Sequence, residues 1–533
     1  MGNQSQIVRD AEQNILDKEH NRFMLLRRPE EQAIFYLLKV FGGFILLNDQ
    51  EADNGSMSII STHATRLAEC RGLDFCLMWL AKQPSYRILL PDVAPKQMVR
   101  EALELFSWGM DYAKLTLDHM AWDGGRGPVH VEVDENNRIF TFKYPSSLNS
   151  FFWRTQVVSE GVYLENKLEN ISLDELKIGF STWRDNLSLQ SGNSLHQKII
   201  NQLANEIVWP SVPPETRVGA YTLNDFRHCF AALLLNGVYS RWAEQARGTT
   251  EPIIVTYPSK QEMASWLCEI SNISFVSAST ILDDLLFDPD SVFRSSIREK
   301  PFVRAHNGNG QLFLLTSYIP MLDPELILAR ILTKDSDRKS IYDEINTGLE
   351  QCFLDEVETA FQSLDVILER EPRLTNGNGQ SKSPDFLLID QNTRGVFVID
   401  CKYSLPPLTP KEVINKMKEL TEGTEQTKKV HEYMKFITED KSILSKWLEK
   451  IETVYGLLLF RWSMPLPAEP SVSVSNWASF QKMLSQSKNV SFSDVLHWLI
   501  TRPDLNIDTK GVEWYQEIQV GDWTYRSVME NGK

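Results

Sequence analysis

The sequence predicts a multidomain protein of the α+β class. A chain of 533 residues is too long for one hydrophobic core, because single cores stop growing at about 250 to 300 residues. Apolar residues recur at helical spacing through most of residues 1–255, whereas two β-rich runs flanked by helical segments lie within residues 335–465. Apolar residues make up 42% and charged residues 24% of the chain, which excludes a disordered or collagen-like protein.

The overall charge excludes a polybasic nucleic-acid or membrane coat. The chain has 55 basic and 71 acidic side chains and a net charge of -16, so phosphate contacts must be local or mediated by a metal ion. The longest apolar run, Ala33 to Leu47, contains Lys39 and is shorter than the roughly twenty residues of a spanning helix. The six cysteines form no Cys-x-x-Cys pair. We therefore expect no membrane contact, no disulfide framework and a cytoplasmic location.

Residues 1–255 are expected to form a largely helical N-terminal region with one β-hairpin near residues 129–143. Val129, Val131 and Val133 alternate with polar residues before a polar turn and a returning strand. The nine histidines of the whole chain are isolated and form no pattern of metal ligands. This region therefore offers no catalytic motif.

Residues 256–334 are expected to form a connecting module of a helix pair and a hairpin. Ser259 and Glu262 make a capping-box pattern at the start of the first helix. Two helices followed by a hairpin is the order of a winged helix, but Asp283 and Asp284 on the second helix oppose a phosphate backbone. A DNA-reading module and an internal packing module both fit the pattern, and the acidic residues favour the packing module.

Residues 335–465 predict a central sheet covered by helices. The expected elements are a helix from about Ser340 to Leu364, strands at 365–369, 384–390 and 395–402, a helical region from Thr409 to Asp440 and a strand from Thr453 to Arg461. Both β-rich runs are apolar on both faces, as in a sheet buried between two layers of helices. Glu356 falls on the apolar stripe predicted for the first helix, which contains Ile345, Leu349, Cys352 and Ala360.

The two β-rich runs predict a hairpin that places two carboxylates opposite each other. With residues 391–394 as the loop, Asp385 faces Asp400. Opposed Cβ atoms lie about 4.5 to 5.5 Å apart and like charges there are destabilising, so a cation should lie nearby. Because side chains alternate along a strand, Lys402 shares the face of Asp400 and Cys401 points away.

These side chains suit metal-assisted hydrolysis of phosphodiester bonds. Mg²⁺ prefers carboxylate oxygens, polarises a phosphoryl oxygen and lowers the pKa of a bound water. Asp385 and Asp400 are the expected ligands. Lys402 is expected to orient or deprotonate the attacking water and to neutralise charge that develops on the phosphate. Glu356 is the candidate outer carboxylate.

The same residues resemble the PD-(D/E)xK nuclease superfamily. Its pattern is matched by Pro384-Asp385, fourteen further residues and then Asp400-Cys401-Lys402, and the order of helix, three strands, helix and strand also matches. The resemblance implies a restriction-endonuclease-like α/β/α domain at residues 335–465. It also implies a site for Mg²⁺, with Mn²⁺ as a substitute, whose ligands would be Asp385, Asp400, the backbone carbonyl of Cys401 and Glu356.

In the exonuclease-like branch of this superfamily, a Gln and a Tyr on the second helix face the site. Gln426 and Tyr433, seven residues apart on one helical face, resemble this supporting pair, although the family's usual spacing is shorter. The sequence therefore does not assign the chain to one branch of the superfamily.

The rest of the sequence limits what this chain does alone. It contains no P-loop, no zinc-protease motif and no nucleophile elbow, so any ATPase would be a separate subunit supplied in trans. Residues 465–470 are expected to be a proline-rich linker, and residues 466–533 an appendage of one helix and one hairpin.

The expected function is therefore a Mg²⁺-dependent deoxyribonuclease that cleaves duplex or single-stranded DNA internally. By analogy with the superfamily, its expected role is that of an effector in a prokaryotic genome-defence system, either anti-phage or restriction-like. The alternative is a nuclease-like fold without activity that acts as a scaffold or as a regulatory subunit binding protein or nucleic acid.

Overall fold

The structure is a computed structural model. It describes residues 2–53, 59–83, 90, 93–122, 129–144, 171–248, 251–292, 296–306, 310–406, 412, 415, 425–462, 472–485, 490–501 and 515–529. Within these residues the chain has a mixed α+β architecture with four sheets.

The N-terminal region is largely helical, as predicted. Its main helices are α1 (Gly2–Ala11), α2 (Glu30–Asp53), α3 (Ile59–Ala81), α4 (Pro95–Trp122), α5 (Leu173–Asn186), α6 (Ser194–Glu206) and α7 (Leu223–Arg247). Helices α3 and α4 cross with their backbones in contact, because a Cβ atom on Gly109 would lie 2.4 Å from the carbonyl oxygen of Gly72. No helix in the described ranges has the length and apolar character needed to cross a membrane.

The predicted N-terminal hairpin is confirmed. Strand β1 (His130–Asp134) pairs antiparallel with β2 (Ile139–Tyr144), and Asp134 lies opposite Ile139 across the turn. The alternation of apolar and polar residues and the short polar turn therefore predicted this hairpin correctly.

The connecting module also has the predicted helix pair and hairpin. Its elements are β3 (Ile254–Tyr257), α8 (Lys260–Ser271), α9 (Phe275–Asp284), β4 (Phe302–Arg304) and β5 (Leu312–Leu315). The hairpin end lies against α2, since the backbone N–H of His306 donates to Glu30 at 3.0 Å, and Asp284 forms an ion pair with Arg338 at 2.6 Å. Residues 307–309 of the predicted loop lie outside the described residues. These contacts favour internal packing over DNA reading.

A central five-stranded sheet follows. Its strands are β6 (Ile367–Arg370), β9 (Phe386–Asp390), β10 (Gly395–Lys402), β11 (Thr453–Phe460) and β12 (Val472–Asn476), while β7 (Leu374–Thr375) and β8 (Ser381–Lys382) form a separate small hairpin between β6 and β9. The strand order is β12-β11-β10-β9-β6, with antiparallel pairing from β6 to β10 and parallel pairing from β10 to β12. The helices around it are α10 (Pro324–Lys334), α11 (Lys339–Phe361), α12 (Glu425–Glu439), α13 (Trp477–Ser485) and α14 (Phe492–Thr501).

The register of the β9–β10 hairpin is the predicted one. Gly395 lies opposite Asp390, and Ile399 lies opposite Phe386. The ladder stops there, so Asp385 and Asp400 lie one step beyond its last pair. The two carboxylates therefore lie where the paired part of the hairpin ends.

Helices cover both faces of the central sheet. Lys429 of α12 contacts Asp400, which places α12 on the face that carries this carboxylate. On the opposite face, the ring of Phe361 in α11 packs edge-on against Phe386 and against Phe480 of α13, with ring centroids 6.0 and 5.8 Å apart. The sheet is thus the middle layer of an α/β/α arrangement.

Residues 466–533 do not form the single appendage that we expected. Strand β12 extends the central sheet beyond residue 465. The final hairpin, β13 (Tyr515–Val520) and β14 (Trp523–Met529), joins the N-terminal hairpin in a sheet of order β1-β2-β14-β13. Both additions are parallel pairings, which local alternation cannot reveal, and the second joins residues 524–529 to residues 139–144. The predicted linker at 465–470 lies outside the described residues.

Candidate active site

Two carboxylates meet where the β9–β10 ladder ends. Oδ2 of Asp385 accepts a hydrogen bond from the backbone N–H of Cys401 at 2.6 Å, immediately beside Asp400. Asp400 is fully buried and Asp385 is partly buried. Alternation along β10 directs Asp400 and Lys402 to one face and Cys401 to the other. The structure therefore brings together Asp385, Asp400 and Lys402, the three residues of the matched sequence pattern.

Two ammonium groups neutralise Asp400. Nζ of Lys402 lies 2.5 Å from Oδ2, and Nζ of Lys429 in α12 lies 2.9 Å from Oδ1. A buried carboxylate needs such partners, because an isolated charge is costly to remove from water. Burial opposes the charged ammonium of Lys429, but its hydrogen bond and attraction to Asp400 hold the pKa of Lys429 above its ordinary value.

Lys429 is the site residue that the sequence interpretation missed. It lies three residues after Gln426 and four before Tyr433, so all three share one face of α12. The spacing of these three residues could be read from the sequence. A lysine on a helix that looks solvent-exposed does not indicate a site residue, however, until the helix face that packs on the sheet is known.

Asp385 occupies an unfavourable place for a negative charge. Burial is the largest cause and the charge of Asp400 the second, and together they raise the pKa of Asp385 to about 6. The hydrogen bond from Cys401 and the positive charges of Lys402 and Lys429 act in the opposite direction and compensate only in part. Positive charge at the Asp385 oxygens would stabilise the carboxylate, which is what a divalent cation bound there would provide.

The available donor atoms fit a hard cation such as Mg²⁺ or Mn²⁺. Within the described ranges no cluster of three or more His, Cys, Asp or Glu side chains is arranged to hold a metal. A cation beside Asp385 and Asp400 would therefore need a further oxygen ligand. The N–H and C=O of one strand residue leave at the same edge, so the carbonyl of Cys401, like its N–H, lies toward Asp385.

The thiol of Cys401 has no part in this chemistry. Its side chain is buried, and burial raises the pKa of the thiol well above its ordinary value, with the charges of Asp385 and Asp400 adding to the effect. A thiol of this kind is a poor nucleophile.

Glu356 belongs to a different cluster, which corrects its assignment as a metal ligand and catalytic carboxylate. Its Oε1 accepts a hydrogen bond from the indole N–H of Trp477 at 2.7 Å, and its Oε2 lies 3.0 Å from Arg461. Helix α11 packs on the sheet face opposite Asp400. The structure therefore does not bring Glu356 to the pair of carboxylates.

The error arose from the choice of apolar stripe. The buried residues of α11 are Tyr342, Ile345, Leu349, Phe353, Val357 and Phe361. Glu356 precedes Val357 by one position and its side chain is 41% exposed, while Cys352 and Ala360 also lie on the flank. A shift of one position turns a helix face by about 100°, so a solvent-side carboxylate was taken for a buried one.

The two supporting residues on α12 have different surroundings. The hydroxyl of Tyr433 donates to the carbonyl of Ser383 at 3.1 Å, which fixes the chain just before Asp385. Gln426 is partly buried in the first turn of the helix. Among the described side chains, no hydrogen bond joins Gln426 to Asp385 or Asp400.

Comparison with known proteins gives no relative. No family model, no curated protein and no solved structure matches this chain. The resemblance to the PD-(D/E)xK superfamily therefore depends on the site residues and the order of elements alone.

Proposed function

We propose that this chain is a metal-dependent nuclease that hydrolyses phosphodiester bonds. The observation that supports the proposal most is the meeting of Asp385 and Asp400 where the β9–β10 ladder ends, with Lys402 against Asp400. Two facing carboxylates destabilise a sheet, and a divalent cation that takes part in phosphodiester hydrolysis would offset their repulsion.

In the proposed mechanism Asp385, Asp400 and the carbonyl of Cys401 would hold a Mg²⁺ ion, or Mn²⁺ in its place. The chemistry supplied by such a cation would be polarisation of a phosphoryl oxygen and a lower pKa of a bound water. Lys402 orients the attacking water and balances the negative charge that develops on the phosphate oxygens. Lys429 holds the second oxygen of Asp400 and so fixes the carboxylate. Glu356 has no role in the reaction.

DNA, duplex or single-stranded, is the proposed substrate, and cleavage within the strand is the proposed reaction. The proposed biological role is that of an effector in a prokaryotic genome-defence system acting in the cytoplasm. The net charge of -16 keeps sequence-independent affinity for DNA low. A protein subunit supplied in trans, such as an ATPase, is the proposed source of the trigger that presents DNA to the site.

One observation favours the alternative of an inactive scaffold or regulatory subunit. Both oxygens of Asp400 already contact ammonium groups, from Lys402 and Lys429. A buried carboxylate neutralised in this way also fits a purely structural ion-pair cluster.

Cleavage assays on the purified full chain separate these two functions. Supercoiled plasmid, circular single-stranded DNA and RNA would each be incubated with Mg²⁺, Mn²⁺ or EDTA. The proposal predicts that circular DNA is cut with either metal and stays intact in EDTA. A folded chain that cuts none of these substrates would leave the scaffold as the better explanation.

A further inference from the structure

Three ammonium groups extend from Asp400 along α12 to the β7–β8 hairpin. Lys402 and Lys429 share Asp400 as a partner. Lys429 and Lys382 share the ring of Tyr433, with Nζ atoms 5.5 and 5.7 Å from its centroid. The three lysines, termed the cation strip, come from a sheet strand, a helix and a hairpin.

The hairpin that carries the outer lysine has a fixed position beside the site. At its tip, the backbone N–H of Gly377 donates to Asp440 at 2.9 Å. At its base, the hydroxyl of Tyr433 donates to the carbonyl of Ser383, two residues before Asp385. These two anchors join the hairpin to α12 and to the turn that follows it.

The two outer lysines reach solvent, and an ammonium has three N–H donors, so Lys429 can contact a phosphate while it keeps Asp400. The side chains of Lys429 and Lys382 are 43% and 30% exposed. Lys382 pairs with Glu432 at 2.7 Å, and exposed ion pairs of this kind contribute only about 0 to 1 kcal/mol. A phosphate can therefore replace the carboxylate of Glu432 at little cost.

The length of the cation strip suits a nucleic-acid strand. Because both outer ammonium groups contact one ring, they lie at most about 11 Å apart, and a DNA strand carries one phosphate per ~3.4 Å of helix axis. Two lysines within this distance can contact neighbouring phosphates of one strand. The overall charge of the chain repels DNA, so contacts with phosphate have to be local.

We propose that Lys429 and Lys382 bind successive phosphates of one DNA strand, next to the phosphate on which Asp385, Asp400 and Lys402 act. This inference rests on the proposed nuclease function and adds the path of the substrate strand. The strand passes from Asp385 and Asp400 along α12 toward the β7–β8 hairpin.

The salt dependence of DNA binding tests this path. Lys382→Gln, Lys429→Gln and the double variant would be compared with wild type, using a fluorescein-labelled single-stranded oligodeoxynucleotide and its duplex, in EDTA over a series of KCl concentrations. Loss of one phosphate contact lowers the slope of log K against log salt by about 0.7 for a single strand and about 0.9 for a duplex. We expect each single variant to lose about one such increment and the double variant about two.

Two matched variants control for general effects of charge. Lys435 is on the same helix at a different face, with a side chain that is 66% exposed, so Lys435→Gln should keep the wild-type slope. Glu432→Gln removes the competitor for Lys382 and should strengthen binding. Unfolding free energies, measured in parallel, report any structural damage.

The outcomes distinguish this inference from the proposed function. A wild-type chain that cuts DNA, with slopes of Lys382→Gln and Lys429→Gln equal to that of Lys435→Gln, would overturn the path and leave the nuclease standing. Lower stability with unchanged slopes would identify both lysines as structural ion pairs. A wild-type chain that neither binds nor cuts DNA would contradict both.

Discussion

At the scale of single residues, Asp385 lies where a negative charge is unfavourable. Burial and Asp400 raise its pKa to about 6, against an ordinary value of 3.8. The folded chain therefore binds a proton at Asp385 more tightly than the unfolded chain does. This linkage makes the unfolding free energy fall as the pH rises between these two values.

The first prediction concerns the stability of Asp385→Asn in EDTA. Near pH 4 the variant and the wild type should have similar unfolding free energies, because Asp385 is then largely protonated in the folded state. Above about pH 6 the variant should be more stable by on the order of 1 kcal/mol, since it lacks the unfavourable charge. Denaturant unfolding at several pH values measures the difference. A variant less stable than wild type at pH 7 would contradict the account.

The second prediction concerns Lys402. Lys402→Ala should lower the rate at saturating DNA by about 10²- to 10⁴-fold and leave DNA affinity nearly unchanged, because its charge acts mainly in the transition state. Single-turnover cleavage and anisotropy binding separate the two quantities, with Lys435→Ala as the control. If affinity collapsed while the saturated rate survived, Lys402 would be a phosphate anchor instead.

At the scale of elements, the sequence specified the site hairpin better than the helices around it. A four-residue loop between two β-rich runs fixes the register, so the approach of Asp385 to Asp400 could be predicted locally. The faces of α11 and α12 depend on packing against the sheet. Periodicity alone did not separate Val357 from Glu356, and it gave no weight to Lys429.

The third prediction follows from the position of Glu356. Glu356→Gln should keep metal-dependent cleavage within about threefold of wild type and lose about 0.5 to 1 kcal/mol of stability, because a partly exposed ion pair with Arg461 is removed. Cleavage rates and denaturant unfolding of the same preparation test both parts. A hundredfold loss of cleavage at unchanged stability would return Glu356 to the active site.

At the scale of the whole molecule, two sheets contain strands from outside the boundaries that we predicted from the sequence. Strand β12 pairs with β11 beyond the predicted boundary at 465, and the C-terminal hairpin pairs with β2 near residue 140. Arg461, the residue after β11, also contacts Glu325 of α10. The hydrophobic periodicity of a segment does not show which other strand it pairs with. For this reason residues 335–465 were predicted to form a complete domain.

The fourth prediction concerns two fragments. Residues 322–465 lack β12, α13 and α14, so β11 becomes an exposed edge and one sheet face loses part of its cover. We expect this fragment to aggregate and residues 322–501 to be soluble and to unfold cooperatively. Size-exclusion chromatography and thermal unfolding compare them. A monomeric and equally stable shorter fragment would show that β12 is dispensable.

The most direct measurement for the central claim is Mg²⁺-dependent cleavage of circular DNA by Asp400→Asn beside a control on the same hairpin. Asp390 caps the loop at the far end, where its oxygens accept hydrogen bonds from the backbone N–H groups of Asn392 and Thr393 and from the Thr393 hydroxyl; Asp390→Asn removes a carboxylate of the same hairpin and keeps one accepting oxygen. The account predicts that Asp400→Asn is folded and inactive, while Asp390→Asn cuts like wild type. Wild-type rates in folded Asp400→Asn would contradict it.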